Sequence, residues 1–257
     1  MERVRTGIPG LDEMLGGGFL PLSANLVEGA PGTGKSTLGM QFIYQGAAVF
    51  GQPGLILTFE EFPEQYYRDA AAFGWDLRRL EREDRLRVVM SSPEVSLAEM
   101  ERVGGHIEHL VREIGVQRIL VDSLSHFERV AAREGVPGTR LRDVVYTFIN
   151  GLKREGLTAV LTRESDVWLG EAEDASDTLG FVVDTYMLLR YVEIESAVRK
   201  ALLVLKMRGS DHDKRIRQFS ITSRGIEVHA PFEGREGIMS GSPRRMVDSF
   251  VQAFVRR

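Results

Sequence analysis

Apolar and polar positions follow two different periods along the first two thirds of this chain. Short apolar runs predict buried β-strands over Ala24 to Glu28, Gly54 to Glu60, Leu86 to Met90, Arg118 to Asp122 and Thr158 to Thr162. Between them, apolar residues recur at helical spacing from Ser36 to Phe50, from about Pro63, from Ser96 to Ile114 and from Thr139 to Glu155. The alternation predicts an α/β fold, with a mostly parallel sheet and helices on both of its faces.

The pattern changes after Thr162, where apolar runs follow one another with only turns between them. These runs are Asp184 to Tyr191, Arg199 to Lys206, Arg217 to Thr222 and Gly225 to His229. Consecutive strands joined by short turns are typical of antiparallel hairpins. We therefore expect antiparallel strands at one edge of the parallel sheet, within one domain of residues 1–242.

Residues 243–257 are predicted to form an amphipathic helical tail. Its apolar side chains recur at intervals of one and three residues, which places them on one helical face: Met246, Val247, Phe250, Val251, Phe254 and Val255. A helix of about a dozen residues is marginal alone in water. The apolar face therefore needs a surface, and its own domain, a neighbouring subunit, a protein regulator and an interfacial membrane contact all remain open.

Composition narrows the class of protein. Of the 257 residues, 43% are hydrophobic and 27% charged, as in ordinary globular domains. The net charge of −4 gives no overall attraction to nucleic acid or to anionic membranes. There is no cysteine, which excludes disulfides and thiolate metal sites, and no apolar stretch approaches the roughly 20 residues that span a bilayer. We expect a cytoplasmic protein without a membrane span.

The run from Gly29 to Ser36 fits the pattern G-x-x-x-x-G-K-[ST], between a predicted strand and a predicted helix. Such a loop turns successive backbone N–H groups toward phosphate oxygens, next to the positive end of the following helix. Lys35 can then reach the outer phosphates, and the Ser36 hydroxyl can ligate Mg²⁺. The predicted nucleotide-binding residues are Gly29, Ala30, Pro31, Gly32, Thr33, Gly34, Lys35, Ser36 and Thr37. The chain is therefore predicted to bind a nucleoside triphosphate.

Three acidic residues follow predicted strands. Asp122 ends the apolar run before Ser123 and is the candidate for a second ligand of the metal. Glu60 and Glu61 lie at the end of the run that begins at Gly54, where open α/β sheets hold their ligands, and one of them could orient and deprotonate the attacking water. The alternative for the two glutamates is a solvated charged turn.

Lys206 and Arg208 lie near the end of a later apolar run. Residues two apart on a strand point to one face, so the two cations could stabilise charge on a transferring phosphoryl group. A pair of cations on an edge strand also protects against aggregation. Spacing alone leaves both interpretations open.

Together these residues resemble the KaiC-like branch of the RecA-type ATPases. The likeness extends from about Thr6 to Ser242, and its motifs occur in the same order along the chain. They are Thr6 to Asp12, Gly16 to Phe19, the phosphate loop, Thr58 to Glu61, Phe73 to Asp76, Val121 to Ser123, Tyr191 to Ile194, Lys206 to Lys214 and Ile221 to Ile226.

The resemblance implies a RecA-like core that binds ATP with Mg²⁺ and hydrolyses it slowly. It makes Glu60 the general base, with Glu61 assisting. It also implies that Lys206, Arg208 and His212 reach the γ-phosphate of ATP held by a neighbouring subunit. The active site is then shared within a homo-oligomeric ring, usually of six subunits, that acts as a regulatory switch or scaffold.

Two departures from the clock members of this family bear on function. Those members carry two such domains in tandem, whereas this chain has one. In their second domain a Ser-Thr pair accepts phosphate, and the corresponding positions here are Gly180 and Phe181. Autokinase activity is therefore not expected.

Two other functions remain as alternatives. A nucleic-acid-dependent recombinase or motor uses the same fold, but residues 164–177 are acidic and contain no Lys or Arg, which disfavours binding of a phosphate backbone. Arg129, Arg133, Arg140 and Arg142, in another candidate loop, keep that alternative open. An ATP-binding adaptor with little turnover also remains, because glutamates do not reveal a rate.

Overall fold

The computed structural model describes residues 2–102, 104–133, 141–165, 179–232, 235–236 and 244–245. Its main sheet contains β1 (Ala24–Gly29), β2 (Gly54–Thr58), β3 (Leu86–Met90), β4 (Arg118–Asp122), β5 (Thr158–Glu164), β6 (Thr185–Ile194), β7 (Ala197–Met207), β8 (Arg217–Thr222) and β9 (Gly225–Pro231). A separate pair is formed by β10 (Arg235–Glu236) and β11 (Arg244–Arg245). The helices are α1 (Leu11–Met14), α2 (Lys35–Ala48), α3 (Pro63–Ala71), α4 (Leu77–Arg82), α5 (Pro93–Glu101), α6 (His106–Ile114), α7 (Phe127–Arg133), α8 (Leu141–Arg154) and α9 (Leu179–Val182), with a 3₁₀ turn at Leu124–His126.

The nine strands of the main sheet lie in the order β3-β2-β4-β5-β1-β6-β7-β8-β9. Neighbouring strands from β3 to β6 are parallel. From β6 to β9 each strand is antiparallel to the next. The prediction of a mostly parallel sheet with antiparallel strands at one edge is confirmed.

Helices cover both faces of the sheet. On one face, Val27 of β1 shares a core with Leu38 and Phe42 of α2. On the other face, Leu26 of β1 shares a second core with Phe148 of α8. Successive residues of β1 thus point into different cores, as the alternation of side chains along a strand requires.

Helix α2, which follows the phosphate loop, is held directly on β4. A Cβ atom at Gly39 would lie 2.3 Å from Leu120 Cδ1, so only glycine allows this close approach. Arg118 of β4 places its guanidinium 4.6 Å from the centre of the Phe42 ring and donates from Nη1 to the Phe42 carbonyl at 2.9 Å. Burial lowers the pKa of Arg118 to about 10. The start of α2, and with it the phosphate loop, is positioned by this packing.

Two expectations about element bounds were wrong. The single helix expected from Ser96 to Ile114 is two helices, α5 and α6. Arg102 has extended backbone angles, and Gly104 has a φ of 85° that favours glycine, so the chain leaves the helix there. The strand expected from Gly54 to Glu60 ends at Thr58, because the chain turns before α3.

The tail lies largely outside the described residues. Arg244 and Arg245 form β11, which pairs with β10. The rest of the helical tail expected over residues 243–257 is not described, so that helix and the boundary at residue 242 stay predictions. Among the helices that the structure describes, none has both the length and the apolar character needed to cross a membrane.

Candidate active site

The phosphate loop joins the end of β1 to the start of α2. Gly32 and Gly34 have φ angles of 75° and 111°, a region that favours glycine. Space is also limited there, because a Cβ at Gly32 would lie 2.8 Å from the Tyr191 hydroxyl and one at Gly34 would lie 2.8 Å from Ile221 Cδ1. Gly34 is also the N-cap of α2. The N–H groups of the first helical turn therefore face the loop, as in anion sites at helix N-termini.

Lys35 lies in this loop with 7% of its surface exposed. Its Nζ donates to the Ala30 carbonyl at 3.2 Å, and the Thr33 hydroxyl donates to the same carbonyl at 2.7 Å. Burial lowers the pKa of Lys35, while the carboxylates of Glu164 and Asp122 act in the opposite direction. The ammonium group is thus folded back over the loop, next to acidic residues on neighbouring strands.

The outer side of the loop is supported by the β6–β7 hairpin. Lys200 Nζ donates to the Gly32 carbonyl at 2.7 Å and to the Thr33 carbonyl at 3.4 Å. The Tyr191 hydroxyl donates to the Pro31 carbonyl at 3.4 Å. No sequence motif marks Lys200 as part of this site, because only the order of the strands in the sheet brings it to a loop so distant in the chain.

Asp122 ends β4 with both carboxylate oxygens held by hydroxyl groups. The Tyr66 hydroxyl donates to Oδ2 at 2.7 Å, and the Thr162 hydroxyl donates to Oδ1. Burial and the negative charge of Asp122 raise the pKa of Tyr66, so this phenol remains a donor. Asp122 and Ser36 line the same cavity, and both offer the hard oxygen ligands that Mg²⁺ prefers.

Glu60 and Glu61 lie in the turn between β2 and α3. Glu60 Oε2 is 3.3 Å from His126 Nε2. The backbone of Glu61 is fixed by Thr58, whose hydroxyl donates to the Glu61 carbonyl at 3.0 Å. Burial raises the pKa of Glu61, and the carboxylates of Asp122, Asp69 and Glu60 add to this effect. Although β2 ends earlier than expected, both glutamates reach the nucleotide end of the sheet.

These groups surround one cavity of about 180 Å³ at the carboxyl ends of β1, β2, β4 and β5. It brings together the predicted residues Lys35, Ser36, Glu60, Glu61 and Asp122, and adds groups that the sequence did not assign to the site: Thr58, Tyr66, His126 and Glu164. A larger surface cavity of about 530 Å³ lies at α3 and α4, and its lining includes none of the predicted residues. The smaller cavity is therefore the candidate active site.

Lys206 and Arg208 lie away from the candidate active site, at the opposite ends of the strands. Met207 pairs with Thr185 at the start of β6, and Thr185 pairs with Asn25 near the start of β1. The phosphate loop instead follows Gly29, four residues further along β1, or roughly 13 Å at the rise of a strand. The two cations are therefore turned away from the phosphate loop of their own subunit.

Both cations contact the backbone around α9. Lys206 Nζ donates to the carbonyls of Gly180 and Val183 at 2.7 and 2.9 Å, and Arg208 Nη2 donates to the Phe181 carbonyl at 3.1 Å. Burial and the neighbouring Arg208 lower the pKa of Lys206. Arg208 lies one residue past the end of β7, yet it reaches the same segment as Lys206.

A β-bulge sets the direction of Lys206. Opposite the pair Tyr186 and Met187, β7 presents Lys206 and Val204, so Leu205 is an extra residue. Val204 and Met207 both belong to the core on the α2 face. In a regular strand residues 204 and 206 would share a face, and the bulge therefore turns Lys206 toward α9 instead.

His212 has a different environment from the two cations. Its Nδ1 and Nε2 atoms are buried and have no hydrogen-bond partner within the described residues. The next residue, Asp213, is anchored by its backbone N–H, which donates to the Met14 carbonyl at 2.8 Å. The two ring nitrogens that would meet a neighbouring nucleotide are thus covered here, and the contact of His212 with that nucleotide stays a prediction.

Asp213 fixes the segment that carries His212. Its carboxylate accepts from Arg215 Nε at 2.9 Å and from Arg217 Nη2 at 2.7 Å. The Arg215 and Arg217 contacts hold the pKa of Asp213 well below its usual range.

The comparison with known proteins agrees with this fold. A family model described as "ATPase: KaiC" matches residues 4–233. The chain belongs to the KaiC family of ATPases. The resemblance seen in the sequence motifs is confirmed.

Two KaiC relatives and one solved KaiC-like structure illustrate the match. The chain is 34% identical over 250 residues to the circadian clock protein KaiC3 of Synechocystis sp., a region that covers 97% of this chain and 48% of that protein. It is 36% identical over 247 residues to the circadian clock oscillator protein KaiC of Thermostichus vulcanus, covering 95% and 46% of the two proteins. The crystal structure of a KaiC-like protein from Pyrococcus horikoshii OT3 has a TM-score of 0.76 at 30% identity, covering 89% of this chain and 99% of that one. This KaiC-family chain therefore spans about half the length of the curated relatives it matches.

Replacing Asp213 should destabilise the chain in a pH-dependent way. Charge-assisted hydrogen bonds are worth roughly 1.5–3 kcal/mol each, so we expect Asp213→Asn to lower the free energy of unfolding at pH 7 by about 2 kcal/mol. Because the folded-state pKa is depressed, this stabilisation is fully present above the unfolded pKa of about 3.9, begins to fall below that pH, and is lost as the pH falls through the lower folded-state pKa. Urea unfolding at pH 7 and at pH 3 measures the difference.

Asp211→Asn is the matched control, because the Asp211 side chain is 90% exposed and lies 3.7 Å from Lys214. Such a surface pair is worth about 0–1 kcal/mol. Equal stability of Asp213→Asn and wild type at pH 7 would contradict the anchoring role.

Proposed function

We propose that this chain is an ATP hydrolase that assembles into a cytoplasmic homo-oligomeric ring and acts as a regulatory switch or scaffold. The observation that carries the proposal is the placement of its charged groups. The phosphate loop, Asp122 and the two glutamates share one cavity, whereas Lys206 and Arg208 lie at the opposite edge of the same sheet. A complete site then needs two subunits.

Within one subunit, the loop N–H groups and Lys35 would hold the phosphates of ATP. Ser36 and Asp122 would hold Mg²⁺, which neutralises charge on the outer phosphates when it is bound. Tyr66 and Thr162 orient Asp122 for that purpose. Glu60 would orient the attacking water and accept its proton, with Glu61 assisting.

The second part of the site would come from a neighbour. The Arg208 side chain is 58% exposed and lies 4.0 Å from the Asp184 carboxylate, which Lys153 also contacts. With Lys206, three cations surround this one carboxylate, so this edge of the subunit keeps a cationic character. The cavity at the other edge is acidic, through Glu60, Glu61 and Glu164. Two different surfaces that complement each other make a head-to-tail contact, which closes into a ring when the rotation allows it. The family resemblance favours six subunits.

The remaining features of the proposal rest on the sequence. The tail of residues 243–257 is the candidate contact for a protein regulator. Nucleic acid is a less favoured partner, because residues 164–177 are acidic and contain no Lys or Arg to bind a phosphate backbone. Stimulation of ATP hydrolysis by single-stranded DNA would support the recombinase or motor instead.

Replacing the proposed base should stop chemistry and leave binding intact. We expect Glu60→Gln to bind ATP with wild-type affinity and to hydrolyse it at least about 100-fold more slowly, the usual contribution of a general base. Lys35→Ala should lose ATP binding itself. Equilibrium binding of ATP and steady-state release of phosphate separate the two effects, and wild-type turnover by Glu60→Gln would show that the base is assigned wrongly.

Subunits with defects on opposite edges should complement each other. When Lys35→Ala and Arg208→Ala subunits are mixed in equal amounts, one interface in four pairs an intact cavity with an intact Arg208, so we expect about a quarter of wild-type activity. Each variant alone should be nearly inactive. Phosphate release is measured after subunit exchange has been verified with differently tagged chains.

The control mixture combines Lys35→Ala with Glu60→Gln. Both defects lie on the cavity edge, so no mixed interface is complete and activity should not recover. If the first mixture stays as inactive as the second, Arg208 does not act on a neighbour's nucleotide.

Removing the hydroxyl that orients Asp122 should weaken the metal site. We expect Tyr66→Phe to lower the apparent affinity for Mg²⁺ in the presence of ATP by about tenfold, as for other groups that support a metal ligand. Tyr67→Phe is the matched control, because the Tyr67 hydroxyl donates to Glu81 at 2.6 Å and lies away from the cavity. Mg²⁺ titration of ATP binding by calorimetry measures the effect, and equal affinities of the two variants would refute it.

A further inference from the structure

His126 lines the candidate active site but has no part in the proposed function. It ends the 3₁₀ turn that follows Asp122 and Ser123. The side chain is only 16% exposed, and its Nε2 lies 3.3 Å from Glu60 Oε2. A mostly buried imidazole is therefore in contact with the carboxylate that is proposed to take the proton of the attacking water.

The ring of His126 is held in place from two directions. It packs edge-on against Phe59, with 6.2 Å between ring centres, and Phe59 packs in the same way on Phe127 at 5.4 Å. The turn itself is tied to β5, because the Glu164 N–H donates to the Ser125 hydroxyl at 3.0 Å. These contacts give His126 a fixed position relative to the ends of β4 and β5.

Glu60, in contrast, has little support of its own. It lies past the end of β2, and its side chain is 74% exposed. A glutamate in such a position samples several rotamers, and fixing it in one of them costs conformational entropy. Contact with a rigid imidazole limits the carboxylate to positions at the cavity.

We propose that His126 is a positioning residue for catalysis: its imidazole holds the Glu60 carboxylate at the nucleotide cavity. The inference rests on the proposed role of Glu60 as general base. In that reaction the water oxygen bonds to the γ-phosphorus, its proton passes to Glu60, and the bond to the β-phosphate oxygen breaks with its electron pair leaving on ADP. His126 exchanges no proton in this step and acts only through the geometry of Glu60.

The surrounding charges are consistent with such a role. The other charged groups that line the cavity are Glu61 after β2, Asp122 at the end of β4, Glu164 at the end of β5 and Lys35 at the start of α2. The carboxylates outnumber the single ammonium, so they repel Glu60 from the cavity. The imidazole of His126, in the turn that follows β4, offers Glu60 a hydrogen-bond donor and so opposes that repulsion at short range.

Kinetics of His126 variants test the proposal. We expect His126→Ala to lower kcat for ATP hydrolysis by roughly 10- to 100-fold, the range in which misplaced catalytic groups fall, with KM for ATP and the temperature of unfolding unchanged. His126→Gln, which keeps an N–H donor, should recover most of the rate. His106→Ala, at an exposed position on α6, serves as the control and should behave as wild type.

A double-mutant cycle with Glu60 decides how His126 acts. Because Glu60→Gln already removes the base, adding His126→Ala should cause no further fall in kcat. A further fall as large as that in the wild-type background would overturn the proposal, as would an unchanged kcat in His126→Ala. A raised KM with normal kcat, or lost stability without recovery in His126→Gln, would also overturn it, in favour of a binding or purely structural role.

Glu60→Gln alone separates this inference from the function on which it rests. If that variant hydrolyses ATP at the wild-type rate, the assigned base is wrong and the role of His126 falls with it. If Glu60→Gln is slow and His126→Ala is not, only the inference about His126 fails.

NMR spectra recorded without nucleotide test the contact itself. The ring resonances of His126 are identified, among those of five histidines, by their loss in His126→Gln. These resonances should shift in Glu60→Gln. Unshifted resonances would refute the contact.

Discussion

The direction of the strands is the constraint on which the candidate site depends. Because β2, β4, β5 and β1 are neighbours and run parallel, their carboxyl ends lie side by side at one edge of the sheet, about 4.8 Å apart. The glutamate turn, Asp122, Glu164 and the phosphate loop follow these ends in that order. Charges from four distant parts of the chain therefore meet around one cavity. Packing of α2 on β4 through Gly39 and Arg118 then fixes the loop relative to Asp122.

The antiparallel strands determine what a single subunit lacks. Strand β6 runs parallel to β1, and β7 returns along it, so the end of β7 lies beside the start of β1. Lys206 is thus carried to the edge of the sheet that faces away from the cavity. The same hairpin places Lys200 and Tyr191 against the phosphate loop at its other end. The β6–β7 hairpin thus supports the phosphate loop of its own subunit. It also carries the cations that are proposed to contact the nucleotide of a neighbouring subunit.

Sequence patterns predicted the parts of the fold and site that are encoded locally. The phosphate loop, Asp122 and the switch to antiparallel strands depend on short runs of residues. The switch is confirmed, and the loop and Asp122 lie at the strand ends where the sequence places them, although their roles stay predictions. Tyr66, Thr162, Lys200 and His126 were missed, because their contacts depend on sheet order and side-chain packing rather than on spacing. The break between α5 and α6 was missed since apolar residues keep helical spacing across it. The burial of the His212 nitrogens likewise follows from the packing around it and not from its motif.

The contacts of Lys206 and Arg208 with α9 have a thermodynamic consequence. Long cationic side chains in solution occupy many rotamers, and an interface that orders them loses up to about 2 kcal/mol of entropy for each. Here the carbonyls of Gly180, Val183 and Phe181 already hold both side chains. A guanidinium has five N–H donors, so the bond from Arg208 to Phe181 leaves others for a phosphate oxygen. The two cations are preorganised during folding, and docking against an anion would cost little further loss of side-chain freedom.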